Sequence, residues 1–291
     1  MRVPDQILKG VAFIGEVSHR DSDGRVFGDL HATGFFVSVR SEFFPERRFV
    51  YFVTAKHVAD DMKDREPYIL VNSKDGKGTT VLRNIEPYWF FHPTDKTADV
   101  AILRVAEQAN AEHYAVIIDD FVTQQDIGEF QAVSIGDEVF IAGLFTPAPG
   151  YTRNLPILRI GNIAMLPKEQ IQTELGFADV YLIEGRSIGG LSGSPIWVRR
   201  SETLKVRMED GRWTSMTSSG PFKLLGVVQG HWDIKESEMN KALIQHDKKH
   251  GVNLGIAIIT PAIKIADIIN QPGMVKLRQE ADEDLGRKRL L

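Results

Sequence analysis

The chain has 291 residues, of which 43% are hydrophobic, enough to bury a sizeable core as one large domain or two smaller lobes. Its 35 basic and 39 acidic residues leave a formal net charge of -4, which gives no push toward nucleic acid or an anionic membrane as partner. No cysteine is present, which removes disulfides, thiolate metal sites and cysteine nucleophiles together and fits a reducing, cytoplasmic setting.

Strands are expected where short runs rich in Val, Ile and Phe lie between Gly, Pro, Asn or Asp. In chain order these runs are 10–17, 34–39, 49–54, 68–71, 100–105, 138–142, 180–184 and 224–228. Many short strands at close spacing read as a sandwich or as barrels. Helix signal is sparse. A single turn is expected over 57–63, and a better helix over 260–270, with Thr260 as N-cap, Pro261 at the first helical position and Ile263, Ile265, Ile268 and Ile269 as its apolar positions. Both halves look β-rich, with a break over 119–135 and no internal repeat. EDGRW reads as a hairpin turn about Asp210 and Gly211. The segment 235–251 is charged and partly helical in pattern, and the end, 276–291, reads as a charged, mobile tail. No run approaches the roughly 18 apolar residues of a membrane span. The N-terminus lacks the apolar core and cleavage site of a signal peptide.

The stretch GGLSGSPIW, residues 189–197, strips bulk from around one hydroxyl, that of Ser192. A tight turn between strands would explain the glycines. A nucleophile would explain them too, since a serine that attacks a carbonyl needs room for substrate and free backbone N–H groups for the oxyanion. Such a serine needs a base, and the base an orienting carboxylate. His57, in YFVTAKHVAD, lies just past an apolar strand and a small-residue turn; the plainer reading is a histidine capping that turn. His19, His92, His113, His246 and His250 sit in polar loops and read as solvated. Asp99 opens the apolar run Val100, Ala101, Ile102, Leu103, where an ionised carboxylate is costly unless paired. The imidazole of His57 would pair it; otherwise Asp99 marks a turn. Asp95, in polar surroundings, reads as a loop residue.

His57, Asp99 and Ser192 follow the His, Asp, Ser order of one known triad arrangement and not the orders of two others. With ATGFFVSV (32–39), VTAKHV (53–58), ADVAILRV (98–105), GDEVFIAG (136–143), GLSGSP (190–195), LLGVVQG (224–230) and NLGIAIITP (253–261), the sequence resembles chymotrypsin/trypsin-like serine peptidases. The resemblance is strongest to cysteine-free bacterial ones of the HtrA-like and glutamyl-endopeptidase-like kind. It implies an all-β fold of two antiparallel six-stranded barrels with a C-terminal helix, divided as 1–125 with His57 and Asp99, 126–275 with Ser192, and the tail 276–291. It implies peptide-bond hydrolysis without metal or organic cofactor, with the N–H groups of Gly190 and Ser192 as oxyanion donors. It also implies that Gln229, Gly230 and His231 lie on the strand that pairs with the substrate backbone.

Two departures stand out. Leu191 replaces the aspartate that pairs with a processed N-terminus in digestive members, so no processing is expected. Only about 20 residues follow the 260–270 segment, too few for the PDZ domain of HtrA-type chains. Specificity falls, by the same resemblance, to Arg186 and Ser187 at the pocket floor. An arginine there would favour Glu or Asp substrates, unless it pairs with Glu184. The segment 235–251 follows the substrate strand and is either a cover or dock for a regulatory protein partner or a solvated loop. The rival readings of the whole chain are a catalytically silent peptide-binding module and an esterase.

Overall fold

β-Branched and aromatic residues pack well on a pleated surface, and their runs become the strands of this protein. The structure is a computed structural model that describes residues 3–23, 25–82, 88–106, 108–112, 114–127, 132–185, 190–208, 211–234 and 252–290. A short helix, α1 (Asp5–Lys9), precedes β1 (Val11–Arg20), β2 (Val26–Arg40) and β3 (Arg48–Thr54). After α2 (Lys56–Asp61) come β4 (Pro67–Asn72), β5 (Thr79–Val81), β6 (Phe90–Phe91), β7 (Ala101–Val105) and β8 (Ala115–Ile117). These form an eight-stranded sheet in the order β5-β4-β1-β2-β3-β7-β6, with β8 joining β2 in parallel.

The second half contributes β9 (Glu138–Gly143), β10 (Ile157–Met165), the small hairpin β11 (Ile171–Thr173) and β12 (Gly176–Ala178), then β13 (Tyr181–Glu184), β14 (Pro195–Arg207), β15 (Trp213–Ile234) and β16 (Val252–Pro261). Six of them close into a barrel in the order β10-β13-β16-β15-β14-β9. The expected pair of six-stranded barrels is therefore found once. The first half has eight strands, and among the described residues nothing pairs its edge strands β5 and β6; residues 83–87, which link those edges, lie outside the described residues.

Alternation along the strands sorts side chains between private and shared cores. In β1, Ala12 and Ile14 pack with Phe36, Phe52, Ile69 and Leu103 inside the first sheet. Their neighbour Phe13 joins a cluster shared with the barrel, which includes Val37, Tyr51, Phe140, Leu144, Trp197 and Leu224. In β9 the pattern repeats: Ile141 points into the barrel with Ile183, Leu191 and Val228, whereas Phe140 and Ala142 face the shared cluster. Each large aliphatic or Phe side chain so buried contributes about 1.5–3 kcal/mol, so the shared cluster joins the two halves by the same force that fills each interior.

Two expectations for the C-terminal region need correction. Thr260 and Pro261 do not open a helix: they end β16, paired with Val227 and Gly226, and α3 (Ala262–Ile269) starts after an extended Pro261. Residues 276–290 do not form a mobile tail but belong to α4 (Pro272–Leu290). This helix docks on the first sheet. Met274 is buried and Leu277 packs beside it. Asp282, 3% exposed, accepts hydrogen bonds from Ser41 Oγ (2.7 Å) and Arg47 Nη1 (2.9 Å), and Arg278 donates to the Tyr51 hydroxyl (3.1 Å) and the Ile269 carbonyl (2.7 Å). β14 and β15 pair as a hairpin, up to Arg207 opposite Trp213, with Gly211 at φ +81 between them; Glu209, Asp210 and the segment 235–251 lie outside the described residues. Among the described residues no helix is long and apolar enough to cross a membrane.

Candidate active site

Pairing of β3 with β7 sets Thr54 opposite Ala101. His57 lies three residues past the first and Asp99 two residues before the second, so the register brings them together. The His57 Nδ1 is 2.8 Å from Asp99 Oδ2, and the His57 backbone N–H donates to Asp99 Oδ1 at 2.9 Å. Asp99 is 1% exposed, and both its oxygens are taken up by one histidine. This satisfies the charge that the sequence placed at the start of an apolar run. The His57 ring is 43% exposed. Burial pulls its pKa down, but the hydrogen bond and charge of Asp99, with the charges of Asp61 and Asp60, outweigh burial and hold it above the usual 6.5. With Nδ1 committed to Asp99, Nε2 remains the available ring nitrogen, and it makes no hydrogen bond among the described residues.

The Ser192 loop is shaped by two glycines with left-handed backbone, Gly190 (φ +94) and Gly193 (φ +81). A Cβ on Gly193 would lie 2.2 Å from the Thr33 carbonyl oxygen and 2.3 Å from Thr54 Oγ1, so only glycine lets the loop approach the end of β3. That approach brings Ser192 beside the segment that carries His57. Ser192 itself is half-buried, and its Oγ makes no hydrogen bond to His57 among the described residues. Within the loop, the N–H of Gly193 donates to the Val228 carbonyl (2.9 Å) and that of Ser194 to the Leu191 carbonyl (2.9 Å). The N–H groups of Gly190 and Ser192 make no hydrogen bond among the described residues. Leu191, fully buried, anchors the loop in the barrel interior.

Pairing between β14 and β15 ends at Pro195 opposite Val227. At Gln229 and Gly230, β15 therefore has β16 on one side and no strand on the other among the described residues. A register shift falls at Gln229, whose Oε1 is buried without a partner in the described structure. His231 follows, opposite Ala257. Arg186 and Ser187 lie outside the described residues.

Asp95 takes no part in the His57 pair. It accepts from Lys264 Nζ (2.6 Å) and from Thr97, and Lys264 also donates to Asp179 (2.9 Å). Burial opposes the Asp95 charge, but these bonds overcome it and hold its pKa down at about 2. His92, expected to be solvated, has a side chain only 7% exposed, with Nε2 3.2 Å from Asp267 and Nδ1 accepting the Asp95 N–H at 2.9 Å. Its partner sits on α3, 175 residues away, which no local pattern could reveal. Sequence reasoning also missed Thr33, which bonds from β2 to the Ser192 loop, and Thr54, whose hydroxyl donates from β3 to the Thr33 carbonyl. A cavity of about 840 Å³, between Ile127, Leu166, Tyr181 and Lys264, is lined by neither His57, Asp99 nor Ser192. Among the described residues there is no cluster of three or more side chains suited to a metal ion.

No protein-family model matches the sequence, and no curated protein does. Among solved structures the chain is similar to the MamO protease domain from Magnetospirillum magneticum in its apo form, with 14% identity and a TM-score of 0.40 over 74% of this chain and 93% of that one. It is also similar to Deg5, with 14% identity and a TM-score of 0.43 over 77% of this chain and 81% of that one.

Proposed function

We propose that the protein is a serine endopeptidase on a two-lobed, chymotrypsin-like scaffold, acting on protein or peptide substrates. The observation that carries this reading is the buried Asp99 carboxylate, bonded by both oxygens to His57, within the strand register that also receives the Ser192 loop. In this reading Ser192 Oγ attacks the peptide carbonyl carbon while His57 Nε2 takes the hydroxyl proton. The N–H groups of Gly190 and Ser192 receive the oxyanion. The carbon–nitrogen bond then breaks, His57 returns the proton to the leaving amine, and water hydrolyses the acyl-enzyme by the same route. Asp99 holds the tautomer with its proton on Nδ1 and stabilises the imidazolium. Substrate backbone pairs with β15 along Gln229, Gly230 and His231, the side of that strand left by β14. Arg186 and Ser187 read the side chain before the cut bond, with acidic preference as the expectation for Arg186.

A silent peptide-binding module is the second reading, favoured by the absence of a hydrogen bond between Ser192 and His57 among the described residues. Catalytic hydrogen bonds are often long before substrate arrives, so the peptidase reading stands ahead of it. Fluorophosphonate labelling decides: modification at Ser192, abolished in Ser192→Ala, with cleavage of a peptide library by the wild type alone, is the expected result. A folded wild type that neither labels nor cleaves would leave the binding module.

A further inference from the structure

Thr33 lies on β2 within 32–38, where the strand is buried on both faces, and its own exposure is 0%. Every polar group it has is engaged. Its Oγ1 donates to the Gly190 carbonyl (2.6 Å) and accepts the N–H of Leu144 (2.8 Å). Its backbone N–H donates to the Ser192 carbonyl (3.0 Å), and its carbonyl accepts from Thr54 Oγ1 (2.8 Å). One residue of the first sheet thus holds the carbonyls of Gly190 and Ser192, whose N–H groups are the proposed oxyanion donors. It is tied through Thr54 to the strand that ends three residues before His57.

The consequence is geometric. Fixing the carbonyl of a residue fixes the peptide plane that follows its α-carbon; Thr33 thus holds the planes that carry the N–H groups of Leu191 and Gly193, and the plane that carries the Ser192 N–H lies between these two. Gly190, with no Cβ and a left-handed φ, would otherwise have wide rotational freedom. We infer that Thr33 is a positioning residue: by holding the peptide planes on either side of the Ser192 N–H, the first of which directly follows Gly190, its hydroxyl and N–H restrict the backbone that aims both donors, so that they stand ready for the oxyanion before substrate binds. The inference rests on the peptidase reading and adds to it the device that orients the donors. It also accounts for a threonine where a valine would fill the same space on a buried strand, because valine would leave the Gly190 carbonyl and the Leu144 N–H without their partner.

The test compares Thr33→Val with Thr33→Ser in the full chain. The measurements are kcat and KM on one cleaved peptide, and inhibition by a peptide boronate, whose tetrahedral adduct places an oxygen where the oxyanion forms. Thr33→Val is expected to lower kcat by about 10- to 100-fold, less than removal of a donor itself, with KM within about threefold. Boronate affinity should fall in parallel, and Thr33→Ser should restore both. A folded Thr33→Val with wild-type kcat and boronate affinity would overturn the inference. Wild-type protein inert to both peptide and boronate would instead overturn the peptidase reading. If Thr33→Val does not fold, ¹⁵N relaxation of the wild type takes its place. Order parameters of about 0.85 at Gly190 and Ser192 are expected for locked donors, and values below about 0.6 would overturn the inference.

Discussion

The two halves of the candidate site are held by different forces. The base half is held by side chains: a buried carboxylate clasps His57, and the preceding loop is pinned by Asp95, Lys264 and His92. The nucleophile half is held by backbone: Gly193, Ser194 and Val228 exchange main-chain hydrogen bonds, and Thr33 reaches across the seam to two carbonyls. Electrostatics tune the first half, whereas steric room and peptide orientation set the second. Substitutions should therefore act on chemistry and pH in one half and on folding geometry in the other.

The largest expected effect ignores that division. Ser192→Ala or His57→Ala should each lower kcat by roughly 10⁴- to 10⁶-fold, with the double variant little worse, because such groups act as a unit. Steady-state kinetics on one peptide checks this. Asp99→Asn tests the electrostatic half and should lower kcat by about 10³- to 10⁴-fold. The base must be neutral to accept a proton, so kcat/KM in the wild type should rise with pH through a pKa above 6.5. Loss of the carboxylate charge should move that limb to lower pH. A limb unmoved in Asp99→Asn would separate Asp99 from the base.

Gly193→Ala tests the steric half. The added Cβ meets Thr33 and Thr54 in a left-handed residue, so the expected cost is roughly 2–4 kcal/mol, seen as a fall of about 5–10 °C in Tm. The pH limb of the remaining activity should not move. Asp95→Asn comes next. The Asp95 pKa is lowered from 3.8 to about 2, so its contribution of about 2 kcal/mol is present above pH 3.8 and lost as pH falls through 2. The variant should be less stable at neutral pH by about that amount and unfold with less dependence on acid between pH 4 and 2, while kcat changes less than about threefold. Chemical denaturation at several pH values measures it, and a large loss of kcat in Asp95→Asn would contradict the assignment of Asp99. The smallest effect is expected at the N-terminus. Leu191 anchors the Ser192 loop in the barrel without an ion pair, so protein with an uncleavable N-terminal tag should keep its activity. Activation only after tag removal would contradict this.

Part of this contrast could be read from the sequence. Asp99 and Ser192 stood out because each contradicts its surroundings, a carboxylate at the mouth of an apolar run and a hydroxyl amid glycines. The strands were legible where apolar runs were dense, as in β3, β7 and β9. Thr33 gave no signal, since threonine is ordinary in a strand and its partners lie 111 and 157 residues away. The eight strands of the first sheet were not legible, because β5, β6 and β8 are only 3, 2 and 3 residues long, too short to show a pattern. Helix α4 was misread because composition counts charges and not where the few apolar residues fall. Met274 and Leu277 suffice to seat one end, and Asp282 finds its partners on a sheet formed far earlier in the chain.

That last contact constrains how the protein is made. Ser41 and Asp282 are 241 residues apart in sequence. At a synthesis rate of about 5–20 residues per second, roughly 12–50 s separate their appearance on a growing chain. Through that interval the hairpin loop between β2 and β3 has lost none of its polar groups to α4, and the flank around Tyr51 lacks the helix that covers it. The first sheet can begin to form early, but it reaches its finished state only when α4 has been added.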